Sequence, residues 1–245
     1  MKNKTCFVSV DVERDQGGGE SEFKGIENLD RILDIFKKYD VLATLFVTGE
    51  VLERYGDLVK KLSGNYEIAC HGYTHRFWST LDSKAREKEV DDFIILYQSI
   101  FQRLPAGFRA PSHVIDQEGV RLLEDKGFLY DSSVVPHYPP FKKYRGYKGK
   151  APLSPYQPKG LKILEIPVRG QVLGIPLAGA WIRGLPILFY RVLFSVYSPS
   201  FVTLSMHSWD GLYPGFLNKL EKIFKILKDK NYLFLNGEQI LKNRG

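Results

Sequence analysis

The sequence has few cysteines and no apolar run long enough to cross a membrane. Only Cys6 and Cys70 occur in 245 residues, and each lies in a short apolar stretch. Two cysteines are too few for the disulfide framework of a small secreted domain, so we expect two buried thiols rather than a disulfide. The N-terminal stretch reaches Asp11 before any apolar run that could serve as a signal-peptide core. We therefore expect a cytoplasmic protein.

Acidic residues are fewer than basic ones. The sequence has 28 Asp and Glu and 35 Lys and Arg, which gives a net charge of +7. A pI near 9.2 suits an anionic partner such as phosphate, nucleic acid or lipid head groups. The positive charge is densest in "FKKYRGYKGK" (141–150), which is as readily a solvated loop as a binding patch. No basic helix with interleaved aromatic residues is present, so we expect no nucleic-acid partner.

Short apolar runs alternate with segments of helical periodicity along the whole chain. Strands are predicted at 6–12, 41–48, 66–70, 107–111, 127–133, 161–168, 200–207 and 232–236, and helices at 26–39, 50–62, 83–104, 116–126 and 215–230. This alternation predicts a parallel sheet, and so many units in one chain favour a closed or nearly closed (β/α) barrel. A single domain over 1–245 is expected.

Residues with reactive side chains occur where several of these strands end. They are Asp11 and Glu13, His71 and His75, Arg109, Asp131, and His207. Each one alone is explained as a turn former, a surface charge or a satisfied polar contact. Five strand ends that carry such residues together are harder to explain separately, and in α/β barrels this end of the sheet holds the active site.

The stretch "HGYTH" (71–75) raises the question of a metal site. An isolated pair of histidines four residues apart is more often part of an ordinary loop. Side chains alternate along a strand, however, so Asp11 and Glu13 point to the same side. Two imidazoles and one carboxylate bind a divalent transition metal and leave positions open for water and substrate. Zinc is the default expectation, and such an open site indicates hydrolysis.

Five segments, in this order, carry a resemblance to a known family: "VSVDVERD", "HGYTH", "FRAPS", "FLYDSS" and "LSMHSWD". They resemble the motifs of the polysaccharide deacetylases, the carbohydrate esterases with NodB homology. The resemblance covers most of the chain, roughly residues 7 to 210. It implies a distorted, incomplete (β/α) barrel, in agreement with the alternation of predicted elements.

The resemblance also implies roles for individual residues. Asp11 corresponds to the general base and Arg109 to the arginine that pairs with it. His207 corresponds to the general acid, and Asp131 to the acidic residue that positions that histidine. His71 and His75 correspond to the metal-binding histidines.

The first motif departs from the pattern of many members, in which a second aspartate directly follows the base and binds the metal. Val12 stands at that position here. Glu13 is the expected substitute because it shares the side of the strand on which Asp11 lies, and Asp15 is the alternative ligand. If neither carboxylate reached the metal, a pseudoenzyme that only binds sugar would be expected.

The implied reaction is metal-dependent removal of an N-acetyl or N-formyl group from an amino sugar. We expect an oligosaccharide or lipid-linked glycan precursor of a surface polysaccharide as substrate, and nothing in the sequence specifies an oligomeric state. Candidate substrate-binding residues are Tyr73, Trp78, Pro111, Ser132 and Trp209. The alternatives are a hydrolase that opens cyclic amides or imides on the same fold, and a noncatalytic carbohydrate-binding protein.

The apolar segment 175–196 is interrupted by Pro176 and Pro186 and carries Arg183 and Arg191, so it is too broken for a membrane span. Two interpretations remain open. It is either a buried helix of the barrel or a peripheral contact with the inner face of the membrane.

Overall fold

One sheet of mostly parallel strands forms the centre of the molecule. The computed structural model describes residues 4–15, 22–136, 151–168, 170–172 and 175–243. The strands are β1 (Lys4–Val12), β2 (Thr44–Val47), β3 (Glu67–Cys70), β4 (Gly107–Phe108), β5 (Tyr130–Asp131), β6 (Leu164–Glu165), β7 (Gly170–Val172), β8 (Ile175–Ala178), β9 (Phe201–His207) and β10 (Tyr232–Leu235). They pair in the order β6-β5-β4-β3-β2-β1-β9-β8-β7, and β10 pairs with the first half of β1. Among the described residues β6 and β7 end this order without pairing to each other, which confirms a distorted, incomplete (β/α) barrel.

The helices are α1 (Lys24–Glu27), α2 (Asp30–Lys38), α3 (Gly49–Leu62), α4 (Ser83–Phe101), α5 (Gln117–Asp125), α6 (Gly179–Gly184), α7 (Ile187–Val196), α8 (Phe216–Asp229) and α9 (Gly237–Lys242). In α2 the apolar residues Ile32, Leu33 and Phe36 are buried, while Asp34 and Lys37 are exposed. This is the spacing expected of a helix that covers a sheet with one face. The predicted helix over 26–39 is in fact two helices, since α1 ends at Glu27 and α2 begins at Asp30.

Strand β1 divides the core into two layers. Val8, Val10 and Val12 belong to the large apolar cluster between the sheet and its helices. The alternate residues Phe7 and Asp11 face the interior of the curled sheet, as the period of two in a strand requires. Because both faces of a parallel sheet are covered, the strand is buried along most of its length.

The interior of the curled sheet is closed at its lower end by apolar side chains. Phe7, Phe46 and Tyr130 meet edge to face, and Ile240 of α9 packs against the same cluster. Directly above, the guanidinium of Arg109 lies 4.1 Å from the centroid of the Phe46 ring. The reactive residues therefore lie on a layer of packed aromatic side chains.

Several sequence-based expectations need correction here. The predicted strands at 107–111, 127–133 and 161–168 are each only two residues long. The segment 175–196 is one strand followed by two short helices, α6 and α7, with Pro186 directly before α7.

In the described part of the chain no helix is long and apolar enough to span a membrane. Cys6 and Cys70 are free and buried, as predicted, whereas the basic segment 141–150 lies outside the described residues.

Candidate metal and catalytic site

A cavity of about 800 Å³ opens at the carboxyl ends of the strands. Its wall includes Asp11 and Glu13 from the end of β1, His71 and His75 from the segment after β3, and His207 from the end of β9. Parallel pairing of β1 with β9 sets Asp11 opposite His207. The sequence-based expectation that reactive residues gather at this end of the sheet therefore agrees with the structure.

Glu13, His71 and His75 form a compact set of metal-ligand atoms, all within 4.8 Å of one another. Glu13 Oε2 lies 3.2 Å from Nε2 of His71 and in close contact with Nε2 of His75. This oxygen is buried and accepts no conventional hydrogen bond within the described residues. A buried oxygen flanked by two imidazole nitrogens fits a divalent transition metal, since a shared cation satisfies all three donors.

A second contact fixes the tautomer of His71. Its Nδ1 lies 2.8 Å from the carbonyl oxygen of Arg109. A carbonyl oxygen can only accept, so in the neutral ring Nδ1 carries the hydrogen and Nε2 presents its lone pair toward Glu13. Metal-binding histidines are commonly oriented in this way by an acceptor on their other nitrogen.

Asp15, the alternative ligand predicted from the sequence, bonds to the backbone at the start of α1 instead. Its carboxylate accepts hydrogen bonds from the backbone N–H of Gly25 at 3.0 and 3.2 Å, at the start of α1. The structure thus groups Glu13, rather than Asp15, with the two histidines.

Arg109 is completely buried and holds Asp11 in place. Its Nη1 donates to Asp11 Oδ1 at 2.6 Å and to Ser9 Oγ at 2.9 Å. Its other nitrogens donate to the carbonyl oxygen and the hydroxyl of Ser132, both at 3.0 Å. Burial raises the pKa of Asp11. The positive charge of Arg109, followed by the charges of His71 and His207, lowers the pKa by more than burial raises it, so it lies below its ordinary value. Asp11 is therefore ionised and able to accept a proton.

Three residues of the cleft wall have backbone conformations that are uncommon for residues with a side chain. His75, Ser112 and His113 have φ angles of 56°, 54° and 58°. Such left-handed conformations cost free energy in a residue other than glycine and tend to cluster at functional sites. Here they lie on two segments, one after β3 and one after β4, that face the same cavity.

The carboxylate that accompanies His207 is not the predicted one. Asp210 Oδ2 lies 3.6 Å from Nδ1 of His207 and accepts a 2.8 Å hydrogen bond from its backbone N–H. Burial lowers the pKa of His207, but Asp210, Asp11 and Glu13 raise it above its ordinary value. The structure thus places Asp210 beside His207, whereas Asp131, the predicted partner, contacts Ser133 and Glu165.

Asp131 instead forms a buried pair with Glu165 on the adjacent strand β6. Its Oδ1 accepts a 2.6 Å hydrogen bond from Ser133 Oγ, and its side chain interacts with that of Glu165. Burial, followed by the charge of Asp131, raises the pKa of Glu165 well above its ordinary value. Two buried carboxyl groups side by side hold a shared proton, since both cannot ionise without strong repulsion.

Asp210 is anchored from its other side by α6. Nη1 of Arg183 donates to Asp210 Oδ1 at 2.7 Å, and Asp210 is fully buried. A Cβ at Gly179 would overlap the Asp210 carboxylate, so only glycine allows α6 to approach this closely. The signal for Asp210 was present in "LSMHSWD", three residues after His207.

Most of the residues predicted to bind substrate lie elsewhere. Trp78 is buried against Phe108, with ring centroids 5.0 Å apart, so its predicted contact with substrate is wrong. Ser132 is buried and bound to Arg109 and to the carbonyl oxygen of Ile166, which also removes it from the cleft wall. Tyr73 and Pro111 are not among the residues that line the cavity.

Trp209 is the predicted substrate-binding residue that does line the cavity. Its ring stacks on His207, with centroids 4.3 Å apart and planes 10° apart. Phe77 and Trp181 also line the cavity, and Trp181 was not predicted from the sequence. Aromatic faces are therefore present beside the reactive groups.

His113 is a further residue that the sequence analysis missed. It lines the cavity directly after the "FRAPS" segment, and its Nδ1 is buried without a hydrogen-bond partner in the described structure. Burial and then the charge of Arg109 lower its pKa to about 3, so the ring is neutral. Its position next to a recognised motif was the only signal in the sequence.

Comparison with known proteins agrees with this arrangement. The sequence profile of the polysaccharide deacetylase family matches residues 19–130, which include His71, His75 and Arg109. Within this segment the chain is thus similar to the polysaccharide deacetylases. A peptidoglycan deacetylase-like protein of Gibberella zeae is 36% identical over 118 residues, which is 47% of this chain and 35% of that protein. The peptidoglycan deacetylase of Helicobacter pylori is 29% identical over 114 residues, 46% of this chain and 39% of that protein. The chain spans little more than a third of the length of these curated relatives.

Solved structures of polysaccharide deacetylase type share the fold. A Mycobacterium smegmatis protein assigned to the polysaccharide deacetylases superposes with a TM-score of 0.75 at 21% identity, over 98% of this chain and 90% of that one. A CE4-family pseudoenzyme from Bacillus anthracis superposes with a TM-score of 0.64 at 17% identity, over 98% and 66%. At these identities the likeness concerns the fold alone.

Proposed function

We propose that this chain is a metal-dependent hydrolase that removes an N-acetyl or N-formyl group from an amino sugar. The observation that carries the proposal is that one cleft holds the Glu13, His71 and His75 cluster beside the Asp11–Arg109 pair and His207. The relationship to the deacetylase family supports the same reaction class.

The three ligand residues are expected to hold zinc, because two imidazoles and a carboxylate suit that ion, although other divalent transition metals fit the same donors. When bound, the ion supplies a Lewis acid and a water of lowered pKa. Glu13 is ionised for this task. Burial raises its pKa, but the imidazoles of His71 and His75 lower it well below its ordinary value.

Asp11 and His207 then divide the proton transfers between them. Asp11 takes a proton from the attacking water as that water adds to the amide carbonyl, and Arg109 keeps the carboxylate ionised and aimed. His207 gives a proton to the amide nitrogen as the carbon–nitrogen bond breaks. The products are a carboxylic acid and a free amine on the sugar, so one water is consumed for each acyl group removed.

The substrate belongs to the same proposal. Trp181 and Phe77 offer aromatic faces that suit the apolar side of a sugar ring. Trp209 is buried and stacks on His207, so it supports the general acid from the cavity wall. We infer an oligosaccharide or lipid-linked glycan precursor of a surface polysaccharide, processed on the cytoplasmic side of the membrane. Fractionation of cells that express a tagged chain tests that location.

The deciding experiment measures acyl release by the purified chain after loading with Zn²⁺. N-acetylglucosamine oligosaccharides and their N-formyl counterparts serve as substrates, and a cyclic ureide serves as the comparison. Release of acetate or formate that stops in Asp11→Asn at equal metal content supports the proposal. Turnover of the ureide alone would assign a cyclic amidohydrolase, and sugar binding without turnover would assign a noncatalytic protein.

A further inference from the structure

Helix α7 presents an apolar face to solvent. Leu188, Val192 and Val196 are spaced four residues apart and are 64%, 54% and 80% exposed, and Tyr197 follows at the end of the helix. Leu188, Val192 and Val196 are named the α7 face. The opposite side of the helix packs in the core, where Tyr190, Leu193 and Phe194 are buried. The three side chains of the α7 face therefore lie outside the core.

Basic residues outnumber acidic residues around this face. Between residues 166 and 209 the sequence contains three arginines and no aspartate or glutamate. Arg191 is exposed next to the apolar residues of α7. Helix α8, which packs against α7, carries four lysines against two acidic residues. An apolar stripe bordered by cations is the pattern of a helix that lies in the surface of an anionic bilayer.

Helix α7 leads away from the cleft. Ala178, Gly179 and Trp181 line the cavity, and α7 begins at Ile187. After α7 the chain reaches Ser198, whose Oγ accepts a 2.9 Å hydrogen bond from Lys4 Nζ at the start of β1, the end of the sheet opposite the cleft. The α7 face therefore extends from the cleft end of the sheet toward the opposite end.

From these observations we propose that the α7 face docks the protein on an anionic bilayer surface, with Leu188, Val192 and Val196 inserted among the head groups. The docking surface does not depend on the proposed function. The structure excludes a spanning role for the described helices, so the contact is peripheral.

Flotation with vesicles tests the docking surface. The vesicles contain equal parts of phosphatidylglycerol and phosphatidylcholine, and vesicles of phosphatidylcholine alone serve for comparison. Wild type is expected to float with the anionic vesicles and to bind less well as salt is raised. The double variant Val192→Glu and Val196→Glu should bind at least about tenfold more weakly, because buried apolar area is lost and two like charges face the lipid.

The chain offers a matched control in Ile95→Glu with Leu129→Glu. Ile95 and Leu129 are 67% and 57% exposed and lie outside the α7 face. This double variant adds the same charge and should bind as wild type does. No flotation of wild type, or equal loss of binding in both double variants, would overturn the proposal.

Light scattering of the same proteins tests the competing occupant, a second copy of the chain. A dimer of wild type that the Val192 and Val196 variant abolishes would overturn membrane docking. Acyl release from a soluble oligosaccharide separates this proposal from the proposed function. The Val192→Glu and Val196→Glu double variant should keep that activity. If wild type floats with the vesicles but releases no acyl group, the proposed hydrolase function is contradicted and the docking surface is not.

Discussion

The two walls of the cleft are held in different ways. On the metal side, Glu13, His71 and Arg109 are buried and joined by contacts that run from β1 to β4. On the acid side, the His207 side chain is 40% exposed and is held chiefly by Asp210 and by its stacking on Trp209. The side chains of the metal side are thus held in place before substrate binds. The position of His207 on the acid side depends on how α6 packs against the carboxylate of Asp210.

The largest effect should follow from a change on the metal side that leaves the ligands intact. Asp11→Asn preserves the size of the side chain but removes the proton acceptor, so kcat/KM should fall by about 10²–10⁴. Metal content should be unchanged, because Asp11 is not in the ligand cluster. Steady-state kinetics at equal metal loading measure this, and full activity would remove Asp11 from the mechanism.

The acid side should be sensitive to the packing of α6. Gly179→Ala places a methyl group where the Asp210 carboxylate lies, so we expect a loss of about 1–3 kcal/mol in stability and a lower kcat. Gly184→Ala is the matched control in the same helix, since a Cβ there meets nothing within 4 Å. Thermal denaturation of both variants gives the comparison, and equal melting temperatures would mean that α6 does not depend on this contact.

A smaller change separates the two candidate partners of His207. Asp210 raises the pKa of His207, so Asp210→Asn should lower that pKa and move the alkaline limb of the activity profile to lower pH. The rate at the optimum should fall roughly tenfold, within the range of one charge-assisted hydrogen bond. Asp131→Asn should leave the limb in place, and a shift in that variant instead would restore the original assignment.

The smallest effect concerns the buried carboxyl pair behind Arg109. The pKa of Glu165 is raised in the folded state, so the folded protein binds more protons than the unfolded chain above the ordinary pKa of Glu. Stability should therefore decline as pH rises from there through the raised value. Glu165→Gln keeps the acceptor for the Val134 N–H and donates to Asp131, so its melting temperature should not show this decline.

At neutral pH the Glu165→Gln variant should be the more stable protein, because the folded wild type must take up a proton at Glu165 that glutamine does not need. At pH 4 the carboxyl group is protonated in both states of the wild type, and the difference between the two proteins should vanish. Parallel pH profiles would show that Glu165 and Asp131 do not share a proton.

What could be predicted from the sequence follows the same division. The metal side was predictable because Asp11, Glu13, His71 and His75 lie next to strand ends, and parallel pairing brings neighbouring ends together. The alternation of side chains along β1 also selected Glu13 in place of Val12.

The acid side was not predictable in the same way. The partner of His207 depends on Gly179, which lets α6 approach Asp210, and Asp131 is instead paired with Glu165 across β5 and β6. Tryptophan is a residue type that often stacks on sugar rings, and only the tertiary packing shows that Trp78 is buried. Residue types in the sequence indicated the reaction chemistry, whereas the contacts of His207 and Trp78 depend on tertiary packing.

The central claim, that Glu13, His71 and His75 hold the metal, is tested most directly by elemental analysis at equal protein concentration. Wild type loaded with Zn²⁺ should retain about one ion per chain, and Glu13→Gln, His71→Ala and His75→Ala should lose it. Asp15→Asn is the matched control and should keep the ion, since Asp15 is bound to Gly25 instead. A wild type that cannot be loaded, or a Glu13→Gln variant that retains the ion while Asp15→Asn loses it, would contradict the account.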